Sequence, residues 1–202
     1  MTSSIPHIAG STKSGFRLLG SLFAVLALLF ASSGCRSVRP ESAQAVPQGT
    51  YYTKFGIRLN GNSCPSTNYR SERNLLLPIN TEVELMSTRR NRFKMQLPGG
   101  RAFTFDYNKK HSGGTAQSSF DSFFSTESTD LSAFTAEEVD AIEKGQPMVG
   151  MTRDTVLTAI GPPPASGTLL LEGNVWKYWN GKFNRPFYVY FGDDGRVSSI
   201  GN

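Results

Sequence analysis

Between Phe134 and Ile200 the chain spells two complete helix start-and-stop signals and then three short alternating strands, an order that few folds accommodate. The first signal is Phe134-Thr135-Ala136-Glu137-Glu138-Val139. Thr135 can cap free amides, Glu138 can close a capping box, and Phe134 can staple onto Val139. Val139 and Ile142 share a face, and Gly145 is placed to stop the helix. The second signal repeats this grammar with Thr152 as cap and Met151 and Val156 as staple. Its apolar side is Val156, Leu157 and Ile160 beside Ala159. Gly161 ends it, and Pro162-Pro163-Pro164 forbids continuation.

The strands follow at once. Asn174–Asn180 and Pro186–Gly192 alternate, and Asp193-Asp194-Gly195 turns the chain into Arg196–Ile200. Alternation sends Trp176 and Tyr178 to one face and Val175, Lys177 and Trp179 to the other. Phe187, Val189 and Phe191 likewise oppose Tyr188 and Tyr190. A three-stranded antiparallel sheet with one face under two helices satisfies this pattern.

Val149-Gly150-Met151-Thr152, the Leu157…Ile160-Gly161-Pro162 ending, Trp176-x-Tyr178 and Phe191-x-x-x-Gly195-x-Val197 together resemble the SmpA/OmlA, or BamE-like, domain. Leu131…Phe134 to Val139 fits the same layout, and the resemblance spans roughly residues 130–201. It implies an ααβββ domain with an accessory role at the outer membrane, in or near the machinery that folds β-barrel proteins. The family's partner-contact residues do not carry over, because the matches are framework positions. Two departures stand out. The connection from Glu143 to Val149 is longer than is usual in the family, and roughly eighty further residues precede the domain.

At the N-terminus, Lys13 and Arg17 precede the apolar run Leu18–Ala31 and then Ser32-Ser33-Gly34-Cys35, the layout of a secretory signal over residues 1–34. That run is too short to span a bilayer comfortably. Gly34-Cys35 resembles a lipobox, in which the cysteine is acylated and becomes the mature N-terminus, although Ser32 stands where leucine is usual. Arg36 follows, and by the same lipoprotein pattern the destination is the outer membrane. The other reading is cleavage with Cys35 left as a thiol, which would permit a Cys35–Cys64 bridge. If Cys35 carries lipid, Cys64 has no intramolecular partner. Acyl chains contribute about 0.8 kcal/mol per buried methylene, so two or three hold a protein durably.

Loss of residues 1–34 removes two bases and no acid, which lowers the net charge from +5 to +3. The remainder is polarised. Residues 50–115 hold eleven Lys/Arg against four Asp/Glu, and residues 116–172 hold two against nine. The halves should attract one another or meet differently charged partners.

Residues 35–48 read as a polar, lipid-bearing tether. Residues 49–111 form a β-rich domain, with Thr50–Leu59, Glu82–Thr88, Arg92–Leu97 and Arg101–Tyr107 as its strand candidates. Leu77-Pro78-Ile79-Asn80-Thr81 looks like the start of a strand in small SH3-like barrels. Residues 112–129 are a Ser/Thr/Gly-rich connection, where Phe120, Phe123 and Phe124 predict one helical turn docked on a core. Residues 130–202 complete the α+β chain as the BamE-like domain.

Chemistry-bearing motifs are few. His111 beside Lys109 and Lys110 has no ligand-spaced Cys, Asp or Glu, so no metal or other cofactor is expected. Glu137, Glu138, Asp140 and Glu143 are explained by the cap and solvent face of a helix. P-loop, dinucleotide and nucleophile-elbow motifs are missing. Catalysis would require His111 or Cys64 in a cleft with a titrating partner, so a binding function is expected.

Two candidate surfaces result. Lys177, Trp179, Tyr188 and Tyr190 lie on the sheet face away from the helices, where they meet a partner or pack on the β-rich domain. Arg89, Arg90, Arg92 and Lys94 are a basic patch, read either as a solvated hairpin tip or as a contact for anionic headgroups or an acidic protein. An exported protein is not expected to meet nucleic acid. The expected role is therefore a membrane-anchored envelope protein, possible partners including the β-barrel assembly machinery. The other reading is a stand-alone module that binds peptidoglycan or inhibits an envelope enzyme.

Overall fold

The computed structural model describes residues 46–71, 73–181 and 185–201. The expected secretory signal, Cys35 and the expected tether as far as residue 45 lie outside the described residues. Among the described residues, eleven strands and four helices follow one another in a mixed α+β arrangement. Among the described residues no helix is long and apolar enough to cross a membrane.

Strands β1 (Gly49–Thr53), β2 (Ile57–Leu59), β3 (Ser63–Pro65) and β4 (Leu75–Leu77) come first. They are followed by β5 (Glu82–Arg89), β6 (Arg92–Gln96) and β7 (Ala102–Asp106). The 50–59 stretch is two strands, because the chain breaks at Lys54–Gly56 and sends β2 to pair with β4. A six-stranded sheet runs β3-β7-β6-β5-β1-β8, where β8 is Phe124–Ser125. Only β3 against β7 is parallel within it. Alternation works as expected: Val83, Leu85, Phe93, Met95, Phe103 and Phe105 turn inward, while Glu82, Glu84, Arg92 and Lys94 turn out.

Two helices come next, α1 (Lys109–Ser112) and α2 (Ala116–Phe123). Thr115 and Ser118 form a reciprocal capping box that starts α2, so the helical turn expected from the phenylalanine spacing extends to eight residues. Phe120, Phe123 and Phe124 are buried against the first sheet, with Phe105 4.9 Å from Phe123 and 5.4 Å from Phe124 between ring centroids. Each fully buried ring contributes about 1.5–3 kcal/mol, so this segment is an integral part of the first core.

Helix α3 (Ala136–Glu143) carries the Thr135–Glu138 capping box, and α4 (Arg153–Ile160) is capped by Thr152. At the end of α3, Gly145 donates to Ile142 O and Gln146 to Ala141 O, with Gly145 at φ 57°. That is the Schellman arrangement. The sheet β11-β10-β9 then forms from β9 (Val175–Trp179), β10 (Pro186–Phe191) and β11 (Val197–Gly201), antiparallel throughout. Trp176, Tyr178, Phe187, Val189 and Phe191 face Ile142, Val156, Ala159 and Ile160 in a second core.

The described residues belong to one compact unit in which polar groups join the two cores. Ile79 leaves the β-rich half to pack in the second core. Arg70, buried, donates through Nη1 to Gly56 O and Ile160 O, each at 3.1 Å, and through Nη2 to Gly145 O. Asn68 donates to Ile160 O at 2.7 Å and to Pro162 O at 3.0 Å. The carbonyls at a helix C-terminus lack intrahelical donors, and Pro162–Pro164 have no amide to offer. Arg70 supplies donors and positive charge to the ends of both α3 and α4, where the helix dipole favours a cation.

Candidate functional site

Strands β9 and β10 pair Tyr190 with Val175, Tyr188 with Lys177 and Pro186 with Trp179. Because Trp176, Tyr178, Val189 and Phe191 occupy the core face, these residues form the opposite face of the sheet. Lys177 Nζ lies 4.4 Å from the Trp179 ring centroid and 5.8 Å from that of Tyr188. Tyr188 and Tyr190 are 6.0 Å apart between ring centroids. The ammonium is thus flanked by two aromatic faces, a cation–π arrangement that fixes a long side chain along the sheet. Tyr190 and Val175 are exposed at one end of the face, and Lys177, Trp179 and Tyr188 are half-buried.

The edge of this sheet at β9 is covered. Lys177 N donates to Thr168 Oγ1 at 2.9 Å, Trp176 Nε1 to Leu171 O at 3.1 Å, and Arg70 N to Trp179 O at 2.9 Å. The loop from Pro162 to Asn174 therefore runs beside β9 and passes close to the Trp179 indole at Gly167. That loop brings Leu169, Leu170 and Leu171 to the surface, with Leu169 92% exposed and Leu170 70% exposed. Sequence reasoning missed this triad, although three consecutive leucines after a proline run, outside any periodic segment, were a visible signal. Val175, Tyr190, Val149 and Ile200 are also exposed apolar side chains of this half of the molecule.

The basic patch lies on the other sheet. Arg89, Arg92 and Lys94 project from the outer face of β5 and β6, and the register sets Arg89 directly opposite Arg92. Arg92 pairs with Asp106 at 2.9 Å. Arg90 occupies the hairpin tip with φ 54°. An open hollow of about 350 Å³ is lined by Ser87, Arg89, Arg92, Lys94 and Thr104 among others. The structure does not bring the basic patch and the aromatic face into one site: they sit on separate sheets.

Cys64 is sealed in the first core, on β3 beside β7. Burial, with Asp106 adding to it, holds its thiol far above the ordinary range, so it is kept from acting as a thiolate. His111 sits on α1 with Nδ1 3.4 Å from Ser166 Oγ. Among the described residues, no three His, Cys, Asp or Glu side chains cluster closely enough to hold a metal ion.

Comparison with protein-family models, with curated proteins and with solved structures returns no match.

Proposed function

We propose that this chain is a lipid-anchored envelope protein that acts by binding another protein, without catalysis, as an accessory to outer-membrane β-barrel assembly. The observation that carries the binding role is the outward face of β9 and β10. There Lys177 is held between Trp179 and Tyr188, and Tyr190 and Val175 extend the surface into solvent. Rigid aromatics clustered on an open sheet face are the composition of protein-contact cores.

The anchor rests on the sequence: a short apolar run, a small-residue exit and Cys35. The periplasmic side of the outer membrane is the location that this reading gives. The BamE-like reading of residues 130–202 rests on the motif resemblance and agrees with the order α3-α4-β9-β10-β11. The SH3-like reading of residues 49–111 rests on the Leu77–Thr81 entry into β5.

Co-purification tests this role. Tagged full-length protein and its Cys35→Ala variant are recovered from detergent-solubilised membranes, and bound proteins are identified. Barrel-assembly components that are recovered with the wild type and weakened in the variant support the proposal. Recovery of none, with co-sedimentation on purified cell wall instead, replaces it with a peptidoglycan-recognition role.

A further inference from the structure

We propose that the β5–β6 hairpin tip is a membrane-contact site that binds the phosphate headgroups of an anionic bilayer. The inference deepens the envelope role above and rests on the anchor assigned there to Cys35. Its own basis is the geometry of the six-stranded sheet.

The first observation is direction. Tyr52 pairs with Glu82 and Gly49 with Leu85, so moving back along β1 toward the N-terminus means moving forward along β5 toward Arg89. Strand β1 therefore begins at the end of the sheet that carries the hairpin tip. Arg89 lies four residues beyond Leu85, or about 13 Å along the strand. Val46 is already buried in the first core, and Cys35 precedes it by eleven residues, a reach of at most about 40 Å when fully extended. An anchor at Cys35 therefore keeps the hairpin tip within reach of the surface that holds the chain.

The second observation is charge. Arg89, Arg90, Arg92 and Lys94 cluster at that end, with Asp106 pairing Arg92. Lys109 and Lys110 join Asn91 and Arg92 around an adjacent hollow of about 500 Å³. The opposite end of β5 carries Glu82 and Glu84, with Arg101 across the sheet. The sheet is electrically polarised along its length, and its positive end is the one at which β1 begins.

The third observation is that the tip opposes local stability. Like charges placed directly across a strand pair repel, as Arg89 and Arg92 do. Arg90 takes a left-handed backbone conformation that glycine or asparagine adopts at lower cost. Sequence choices that oppose the hairpin's own energetics are explained by a ligand that rewards the charge. Phosphate oxygens accept from guanidinium groups, and four bases spread over the tip and outer face of the hairpin match the many phosphates of a bilayer surface better than a single small anion.

Partitioning of the full chain onto vesicles tests the site. Vesicles of phosphatidylcholine alone are compared with vesicles that also contain phosphatidylglycerol, for the wild type and for Arg89→Gln/Arg90→Asn/Lys94→Gln, which keeps the Arg92–Asp106 pair. The wild type should favour the anionic vesicles, and the triple variant should lose about fivefold of that preference for each charge removed, up to roughly a hundredfold in all. Arg90→Asn alone, which relieves backbone strain, should lose about fivefold, so a folding defect cannot mimic the result. Raised salt should erase the preference. Equal partitioning of the wild type on both vesicles, or an unchanged preference in the triple variant, would overturn the proposal. So would full competition by millimolar inorganic phosphate, which would mark a small-anion site. The anchor is read separately, from binding of wild type and Cys35→Ala to neutral vesicles, so its failure is distinguishable from failure of the tip.

Discussion

Arg70 and Ile160 are ninety residues apart in sequence and share a buried hydrogen bond of 3.1 Å, Nη1 to carbonyl oxygen. The same guanidinium reaches Gly56 and Gly145, so one side chain closes the ends of two helices and binds them to the β-rich half. Burial, and after it the nearby charge of Arg58, lowers the pKa of this group, which measures how strongly the junction strips it of water. Replacing Arg70 with Leu should remove the donors but leave buried carbonyls behind. Loss of about 3–5 kcal/mol is expected. Chemical denaturation checks it, and the unfolding transition should broaden or divide as the two cores uncouple.

Gly161 tests the same junction sterically. A Cβ built there would stand 2.3 Å from the Phe55 ring, and φ is 72°. Gly161→Ala should therefore cost about 2–4 kcal/mol, while Gly181→Ala, at φ 76° with open space around it, should cost only about 1 kcal/mol. Thermal melts of the two variants separate packing from backbone strain.

At the hairpin tip, stability and binding should move in opposite directions. Arg90→Asn should leave the fold as stable as the wild type or raise its stability by about 0.5 kcal/mol, because asparagine tolerates the left-handed conformation. A variant that gains stability and loses anionic-vesicle affinity marks a position kept for contact with a surface. Equilibrium denaturation beside the partitioning assay provides both readings.

Cys64 should be silent toward thiol reagents in the native state. Its thiol is raised by burial and by Asp106, so it stays protonated through neutral and mildly alkaline pH. Labelling at pH 8 should proceed only as fast as the protein opens and become immediate in denaturant. The sign of the pH effect follows from the raised native value. Below the ordinary thiol range both states hold the proton and Cys64 adds no pH dependence. Above about pH 9 the unfolded state releases its proton and gains, so the contribution of Cys64 to stability falls as pH rises.

How much of this was legible in the chain depended on range. The caps at Thr135 and Thr152, the stop at Gly145 and the inward Trp176 and Tyr178 could be read, because each is fixed by neighbours a few residues away. The pairing of β3 with β7 could not, since a short parallel strand at Ser63–Pro65 leaves no periodic trace. Arg70 and Asn68 were equally hidden: an arginine in a polar stretch resembles a surface residue until distant helix ends arrive to accept its hydrogen bonds. The helix at Ala116–Phe123 is longer than the single turn that its phenylalanine spacing predicts, because its Thr115–Ser118 cap uses serine in place of the usual acid or amide. Of the candidate surfaces, strand alternation located the residues. The exposed leucines at 169–171 were missed because they belong to a loop, where periodicity has nothing to say.

The aromatic face should be sensitive to charge reversal without loss of fold. Lys177→Glu places a carboxylate between Trp179 and Tyr188 and exchanges cation–π attraction for repulsion, a cost of about 1 kcal/mol on a half-exposed surface. Partner binding through the same face should fall by much more, about tenfold or greater. Circular dichroism and the co-purification yield give the two numbers.

A photo-crosslinking residue placed at Tyr190 in living cells shows whether the outward face of β9 and β10 binds a protein of the envelope. The account predicts a discrete adduct to a barrel-assembly component, reduced when Cys35 is changed to Ala, and no adduct from the same probe at Asp154 on the exposed side of α4. No adduct from Tyr190 to any envelope protein, or equal adducts from both positions, would contradict it.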